Sequence, residues 1–148
     1  MTDPEFKIRN AELSDIGSIM ALEEGSIVHP WSSKDIASLI TDQNKKCLVA
    51  EANGEVVCYV GAETVLDECN IGNIVTAVDH RGKGYGAKVF NGLLNDLKDG
   101  GIAKVFLEVE HDNIPAISLY EKSGFTRYGY RRDYYGQGKD AVLMTKEL

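Results

Sequence analysis

Asp79-His80-Arg81-Gly82-Lys83-Gly84-Tyr85-Gly86-Ala87-Lys88 stands between a strand-like run, Ile71 to Val78, and a segment patterned as a helix. That segment runs from Gly84 to about Lys98, carries Val89, Leu93, Leu94 and Leu97 on one face, and is stopped by Gly100-Gly101. The first backbone N–H groups of a helix lack an intrahelical partner, and the helix dipole favours an anion there. Glycines let a bound group approach the backbone closely. Arg81, Lys83 and Lys88 oppose only Asp79 in this window, a positive patch on an acidic chain. A glycine-rich turn can also do no more than join two elements; the coincidence of strand, glycines, bases and helix favours a phosphate-bearing ligand. The glycines fall at 82, 84 and 86, so the G-x-G-x-x-G dinucleotide fingerprint is not met. The GxxxxGKS or GxxxxGKT loop of nucleotide triphosphatases is absent too.

Upstream, Cys47 to Glu51 and Val56 to Val60 read as strands flanking Asn53-Gly54, a hairpin signal because both residues tolerate positive φ. With the run to Val78 they make an antiparallel meander. Lys7-Ile8-Arg9 is a short first strand. Ser14 or Asp15 then caps a helix whose stripe is Ile16, Ile19, Met20 and, out of character, Glu23. A loop through Val28-His29-Pro30-Trp31 leads to a second helix with Ile36, Leu39 and Ile40, capped by Ser32 with Asp35 three residues on. Downstream, Lys104 to Val109 is a strand, Asn113 caps a helix with Pro115 in its first turn, Gly124 ends it, and two strands surround Gly136-Gln137-Gly138. No linker or low-complexity tract divides the chain, so 1–148 reads as one domain. The order β-α-α-β-β-β-α-β-α-β-β implies an α/β (α+β) fold, one mixed sheet with helices packed on it.

Composition narrows the function classes. The 148 residues are 43% hydrophobic and 26% charged, ordinary for a globular protein. Net charge is −7 and the pI is near 4.9, which argues against general nucleic-acid binding and against docking on anionic lipid, and weakly favours a basic partner. No basic-then-apolar leader and no apolar run near 18 residues points to export or membrane insertion. Cys47, Cys58 and Cys69 are odd in number without CxxC spacing, and His29, His80 and His111 do not pair, so neither a disulfide framework nor a metal site is expected. The expected setting is a reducing cytoplasm.

Arg81-x-x-Gly84-x-Gly86 resembles the R/Q-x-x-G-x-G/A loop of the GCN5-related N-acetyltransferase superfamily, which holds the pyrophosphate of acetyl-CoA. The resemblance covers nearly the whole chain, and it implies a mostly antiparallel sheet of about seven strands flanked by four helices. Pro30-Trp31-Ser32, Asn73-Ile74-Val75, Leu107-Glu108-Val109, Asn113, Ser118-Leu119-Tyr120-Glu121, Gly124-Phe125 and Arg131-Arg132-Asp133-Tyr134-Tyr135 are similar to the bacterial ribosomal-protein-alanine N-acetyltransferases within it. Glu110-His111-Asp112 departs from that group, as does the segment before Pro30. By this resemblance Ile74, Val75 and Thr76 line the pantetheine arm, Arg81, Gly82, Lys83, Gly84, Tyr85, Gly86 and Ala87 take the pyrophosphate, and Asn113 hydrogen-bonds the cofactor. Asn113 is equally a sufficient helix cap without a ligand.

The resemblance makes Glu108 the general base and Tyr120 the general acid, with direct attack on acetyl-CoA and no metal. On pattern alone Glu108 could lie on the solvent side of its strand by alternation, and Tyr120, with Ile117 and Ala116 one turn before it, could be plain core. A protein α-amine titrates at about 7.7–8.0 and a lysine at about 10.4, so an N-terminus asks less of a base. An ordinary carboxyl still lies about 3.7 units below an α-amine, a gap that partial burial or a water relay would narrow. Trp31, Tyr134 and Tyr135 could frame a peptide groove with Glu23, Glu24 or Asp133 meeting basic side chains; Trp31 could also be a loop anchor and the acids solvated surface. The partner implied is a basic protein N-terminus, the alanine of ribosomal protein S18, with the enzyme a monomer or weak homodimer. Lysine or polyamine-type acceptors, and a non-catalytic acyl-CoA-binding module, are the alternatives.

Overall fold

The computed structural model describes residues 6–25 and 30–148, so the Val28-His29 part of the expected loop lies outside the described residues. Within them the elements follow the expected order: β1 Lys7–Asn10, α1 Ile16–Glu24, α2 Ser33–Thr41, β2 Lys45–Ala52, β3 Glu55–Val65, β4 Glu68–Thr76, α3 Tyr85–Asp99, β5 Lys104–Glu110, α4 Ile114–Lys122, β6 Thr126–Arg131 and β7 Ala141–Glu147. The strands form one sheet in the order β1-β2-β3-β4-β5-β7-β6, every neighbouring pair antiparallel except β4 with β5. The mixed, mostly antiparallel sheet with four helices is as expected. No helix among the described residues is long and apolar enough to cross a membrane.

Each face of the sheet has its own core. Val89, Phe90, Leu93 and Leu97 of α3 and Ile117 and Tyr120 of α4 pack on one face against residues from β2 to β7. Ile19 and Leu22 of α1 and Ile36 and Leu39 of α2 pack on the other against Cys47, Val49, Tyr59 and Val75, and no residue of β5, β6 or β7 joins that cluster. Half of the second face is therefore open. The hairpin at Asn53-Gly54 forms as read, with φ of +54° and +81°. The next hairpin turns at Leu66, which is 93% exposed with φ +56° and gave no signal in the sequence.

The start of α1 differs from expectation. Leu13–Asp15 form a 3-10 turn, and the Asp15 carboxylate does not cap α1. It accepts the Glu12 N–H at 2.7 Å and receives Arg9 of β1 through both nitrogens, at 2.7 and 2.9 Å, while Arg9 also donates to Glu51 at 3.0 Å. Asp15 thus gives up capping α1 to accept the Glu12 N–H and the Arg9 guanidinium of the strand before it. The strand expected to reach Val78 also stops earlier, at Thr76, because Val78–His80 turn back with His80 N–H donating to the Ala77 carbonyl. The Arg9 guanidinium, opposed by burial, holds the Asp15 carboxyl below its usual range. That stabilisation is full above the unfolded-state value near 3.8 and is lost as pH falls through the lowered native value. Asp15→Asn should cost about 2–3 kcal/mol at neutral pH by urea unfolding, and the gap to wild type should narrow below about pH 4. A gap that stays constant down to about pH 2 would contradict the charge origin.

Candidate active site

From Thr76 the chain makes the Val78–His80 turn and enters the glycine stretch. Arg81 Nε donates to the Thr76 carbonyl at 3.2 Å, drawing the loop back over the end of β4. Gly82 and Gly84 adopt φ of +79° and +81°, and a Cβ on either would meet nothing within 4 Å. The left-handed backbone, not shortage of room, is what requires glycine there. Gly84 caps α3 without a side-chain bond, and the helix's first bond is Lys88 N–H to the Gly84 carbonyl at 3.1 Å. The Gly86 and Ala87 N–H groups lie ahead of it and have no acceptor within the helix. Arg81, Lys83 and Lys88 are exposed around this end. Tyr85 is not: its ring stacks on Phe6 at 4.8 Å, so only its backbone can serve a ligand. Open amides, left-handed glycines and exposed bases fit a diphosphate.

Beside this loop the sheet comes apart. β4 and β5 pair through Glu68, Cys69 and Asn70 with Lys104, Val105 and Phe106, and no further. β4 stays with β3 as far as Thr76 and β5 stays with β7 as far as Glu110, which leaves a slot between them. The divergence coincides with a bulge in β4, where Ile71 faces Ala62 but Ile74 faces Val60. A Cβ at Gly72 would lie 3.2 Å from the Gly61 carbonyl oxygen, so the bulge needs glycine at that position. Val75 is buried under α1 and α2, Ile74 packs on the opposite core, and Thr76 Oγ1 donates to Cys58 Sγ at 3.2 Å. What β4 offers the slot is thus backbone. Asn113 caps α4, its side chain accepting the Ala116 N–H at 3.3 Å, which leaves its NH2 for any ligand.

Glu108 lies on the other wall. Val105, Leu107 and Val109 face the α3/α4 core, so Glu108 shares the opposite, half-open face with Phe106 and Glu110. Of the two sides that alternation left open, the structure puts Glu108 on the half-open one, where its side chain is 34% exposed. Tyr134 hydrogen-bonds the Glu108 carboxylate, which raises the phenol's pKa. Arg131 Nη1 stands 3.9 Å from Glu108 Oε1, and its guanidinium lies 5.6 Å from the Tyr134 ring centroid. Tyr120 comes from the other face, buried against Phe90 and Phe125 at 5.3 and 6.2 Å, and burial pushes its phenol up to about 12. Tyr135 links the two. Its phenol is pushed up to about 12 by burial first and then by the Glu108 charge, with Tyr134, Tyr120 and Glu110 adding, so it stands within electrostatic reach of Glu108 and Tyr120 together.

The family model described as the acetyltransferase (GNAT) family matches residues 14–125. The chain belongs to this family. It is an N-acetyltransferase, and acetyl-CoA is the family's co-substrate. It is 32% identical over 142 residues to the ribosomal protein bS18-alanine N-acetyltransferase of Escherichia coli strain K12, spanning 93% of this chain and 94% of that one. The N-alpha-acetyltransferase of Sulfurisphaera tokodaii is 29% identical over 157 residues, spanning 97% and 94%. Among solved structures, the ribosomal-protein-S18-alanine N-acetyltransferase from Escherichia coli superposes with a TM-score of 0.88 at 29% identity, covering 96% of this chain and 93% of that one.

Against the expected GNAT peptide groove, two of the three proposed acids are engaged internally. Glu23 is 0% exposed and takes hydrogen bonds from the Trp31 N–H, the Tyr59 hydroxyl and Asn73, so it meets no acceptor side chain at the surface. Asp133 accepts the Gly138 N–H at 2.7 Å and shapes the β6–β7 loop; Glu24 is exposed. Arg131 as the cation beside Glu108 escaped the sequence reading, because only hairpin pairing brings it to β5. Cys47, Cys58 and Cys69 are buried free thiols, burial pushing Cys47 and Cys69 up to about 12. Gly84→Ala should weaken acetyl-CoA binding at least about tenfold by calorimetry while costing only about 1–2 kcal/mol of stability, the cost of a left-handed L-residue. Wild-type affinity in that variant would exclude the loop from the cofactor site.

Proposed function

We propose that this chain acetylates protein N-terminal α-amines, with the N-terminal alanine of ribosomal protein bS18 as its acceptor. The reading treats residues 1–148 as one acetyltransferase domain, monomeric or weakly dimeric, working in the cytoplasm without a nucleic-acid or membrane partner. The observation that supports it is Tyr135, which stands within electrostatic reach both of Glu108, on the open sheet face, and of Tyr120, on the packed one. The names of the Escherichia coli and Sulfurisphaera tokodaii relatives support the α-amine, and a net charge of −7 suits a basic substrate.

Acetyl-CoA supplies an acyl carbon activated as a thioester. Gly82, Gly84, Gly86 and Ala87 with Arg81 and Lys83 hold its pyrophosphate through backbone amides and charge, Tyr85 contributing backbone alone. The edges of Ile74, Val75 and Thr76 pair with the pantetheine amides, and the Asn113 NH2 donates to the cofactor. The amine enters from the Glu108 side, its lone pair forms the N–C bond, and Glu108 takes the proton that nitrogen releases. The C–S bond breaks toward Tyr120, whose hydroxyl donates to the departing sulfur and is reprotonated from solvent. A thiol titrates near 8.5, so handing a full proton from a phenol near 12 is uphill by about 5 kcal/mol. Tyr120 therefore serves as a hydrogen-bond donor that completes transfer late, as sulfur charge develops. With three protonated core thiols, no acyl-enzyme is needed.

Release of free coenzyme A against basic peptides of varied first residue tests the reading. Ala-starting peptides should be the best acceptors, with kcat/KM rising with pH to a plateau near 8, the α-amine value, where a lysine acceptor would keep rising toward about 10. Tyr120, neutral below about 12, should add no falling limb in that range. Glu108→Gln should lower kcat/KM about 100-fold or more, and Tyr120→Phe should lower kcat at least about tenfold with acetyl-CoA affinity unchanged. Activity on small amines with none on Ala peptides would overturn the acceptor, and wild-type rates in either variant would remove that residue's role.

A further inference from the structure

Glu23 belongs to the apolar stripe of α1 and is wholly buried, yet transfer chemistry makes no use of it. Its carboxylate accepts from three neutral donors on three parts of the chain. Oε1 takes the backbone N–H of Trp31, two residues ahead of α2, at 2.7 Å. Oε2 takes the Tyr59 hydroxyl of β3 and, at 3.5 Å, Nδ2 of Asn73. Asn73 is in the β4 bulge, where that strand parts from β5. A carboxylate only accepts, so the Asn73 amide must turn its NH2 to Glu23, which makes Oδ1 the end available to an N–H. Burying a carboxylate among neutral groups is costly, and a hydrocarbon would fill the same stripe position without that cost.

We infer that Glu23 is the positioning residue of the acceptor side: its carboxylate fixes the Trp31 turn to the β4 bulge, setting the distance between the surface that receives the amine and the strand edge that receives the thioester. The inference rests on the acetyl-transfer reading for the existence of an acceptor, though not on which amine it is. Trp31 shares the open-face cluster with Val75 of β4, so a shift of the turn is felt at the slot wall.

Glu23→Gln keeps size and shape, which separates positioning from packing. The Trp31 N–H can only donate, so the new amide oxygen goes to it and the NH2 goes to the sheet side. The Tyr59 hydroxyl can rotate to accept, whereas Asn73 must flip. In Glu23→Gln, the KM of whichever amine the wild type uses should rise about tenfold while the acetyl-CoA KM stays within about twofold. Trp31 is the sole tryptophan, so its fluorescence reports the turn directly: acrylamide quenching should increase in both Glu23→Gln and Glu23→Ala. Wild-type acceptor KM and quenching in Glu23→Gln, or both KM values rising together, would overturn the inference. Where Glu23→Ala does not fold, the KM ratio of Glu23→Gln decides. A wild-type protein that turns over no amine overturns the acetyl-transfer reading and this one with it; an unaltered ratio in an active enzyme overturns this one alone.

Discussion

Parallel pairing between β4 and β5 ends at Asn70 and Phe106, and beyond that point the facing backbone edges of both strands need partners from elsewhere. Neither strand can close the gap. The bulge commits β4 to β3, and seven consecutive pairs commit β5 to β7. A sheet interior with an unpaired edge is an unusual thing to keep, since such edges recruit other strands. Here the edge lies inside the sheet, between two paired halves, where an extended arm with amides of its own can reach it but another sheet cannot. The glycine loop at the end of β4 then puts the proposed anion site within a few residues of that edge.

The two groups proposed for the chemistry come from different layers of the fold. Glu108 projects from β5 on the face that α1 and α2 leave bare, and Tyr120 comes from α4 on the packed face. Glu108 is accordingly half exposed and in contact with Tyr134 and Arg131, while Tyr120 is enclosed by Phe90 and Phe125. The wet side suits the proposed base, which would exchange protons with an arriving amine. The dry side suits the proposed donor, which would have to remain protonated.

Much of this was legible where the cause is local. Asn53-Gly54, the Ser32 and Asn113 caps and the stop at Gly100-Gly101 each rest on a few neighbouring residues, and the structure forms each one. The glycine loop was legible for the same reason. The Leu66 turn was not, because nothing in Leu-Asp advertises a left-handed residue. Nor was the insertion of β7 between β5 and β6, which long-range pairing decides. Asp15 and Glu23 were misread in one way: both look like ordinary helix-end acids, and only partners 6 to 50 residues away, Arg9, Tyr59 and Asn73 among them, draw them inside. Alternation along β5 left the side of Glu108 undecided because either register gives an amphipathic strand.

The buried cysteines have a bearing on durability. Every GNAT turnover liberates a thiol, and at the proposed site one wall of the slot is Thr76, whose hydroxyl touches Cys58. A reactive protein thiolate near that product would invite a mixed disulfide and slow self-inactivation wherever an oxidant is present. Cys47, Cys58 and Cys69 are buried and held protonated by that burial, so the folded enzyme offers its own by-product nothing to couple with.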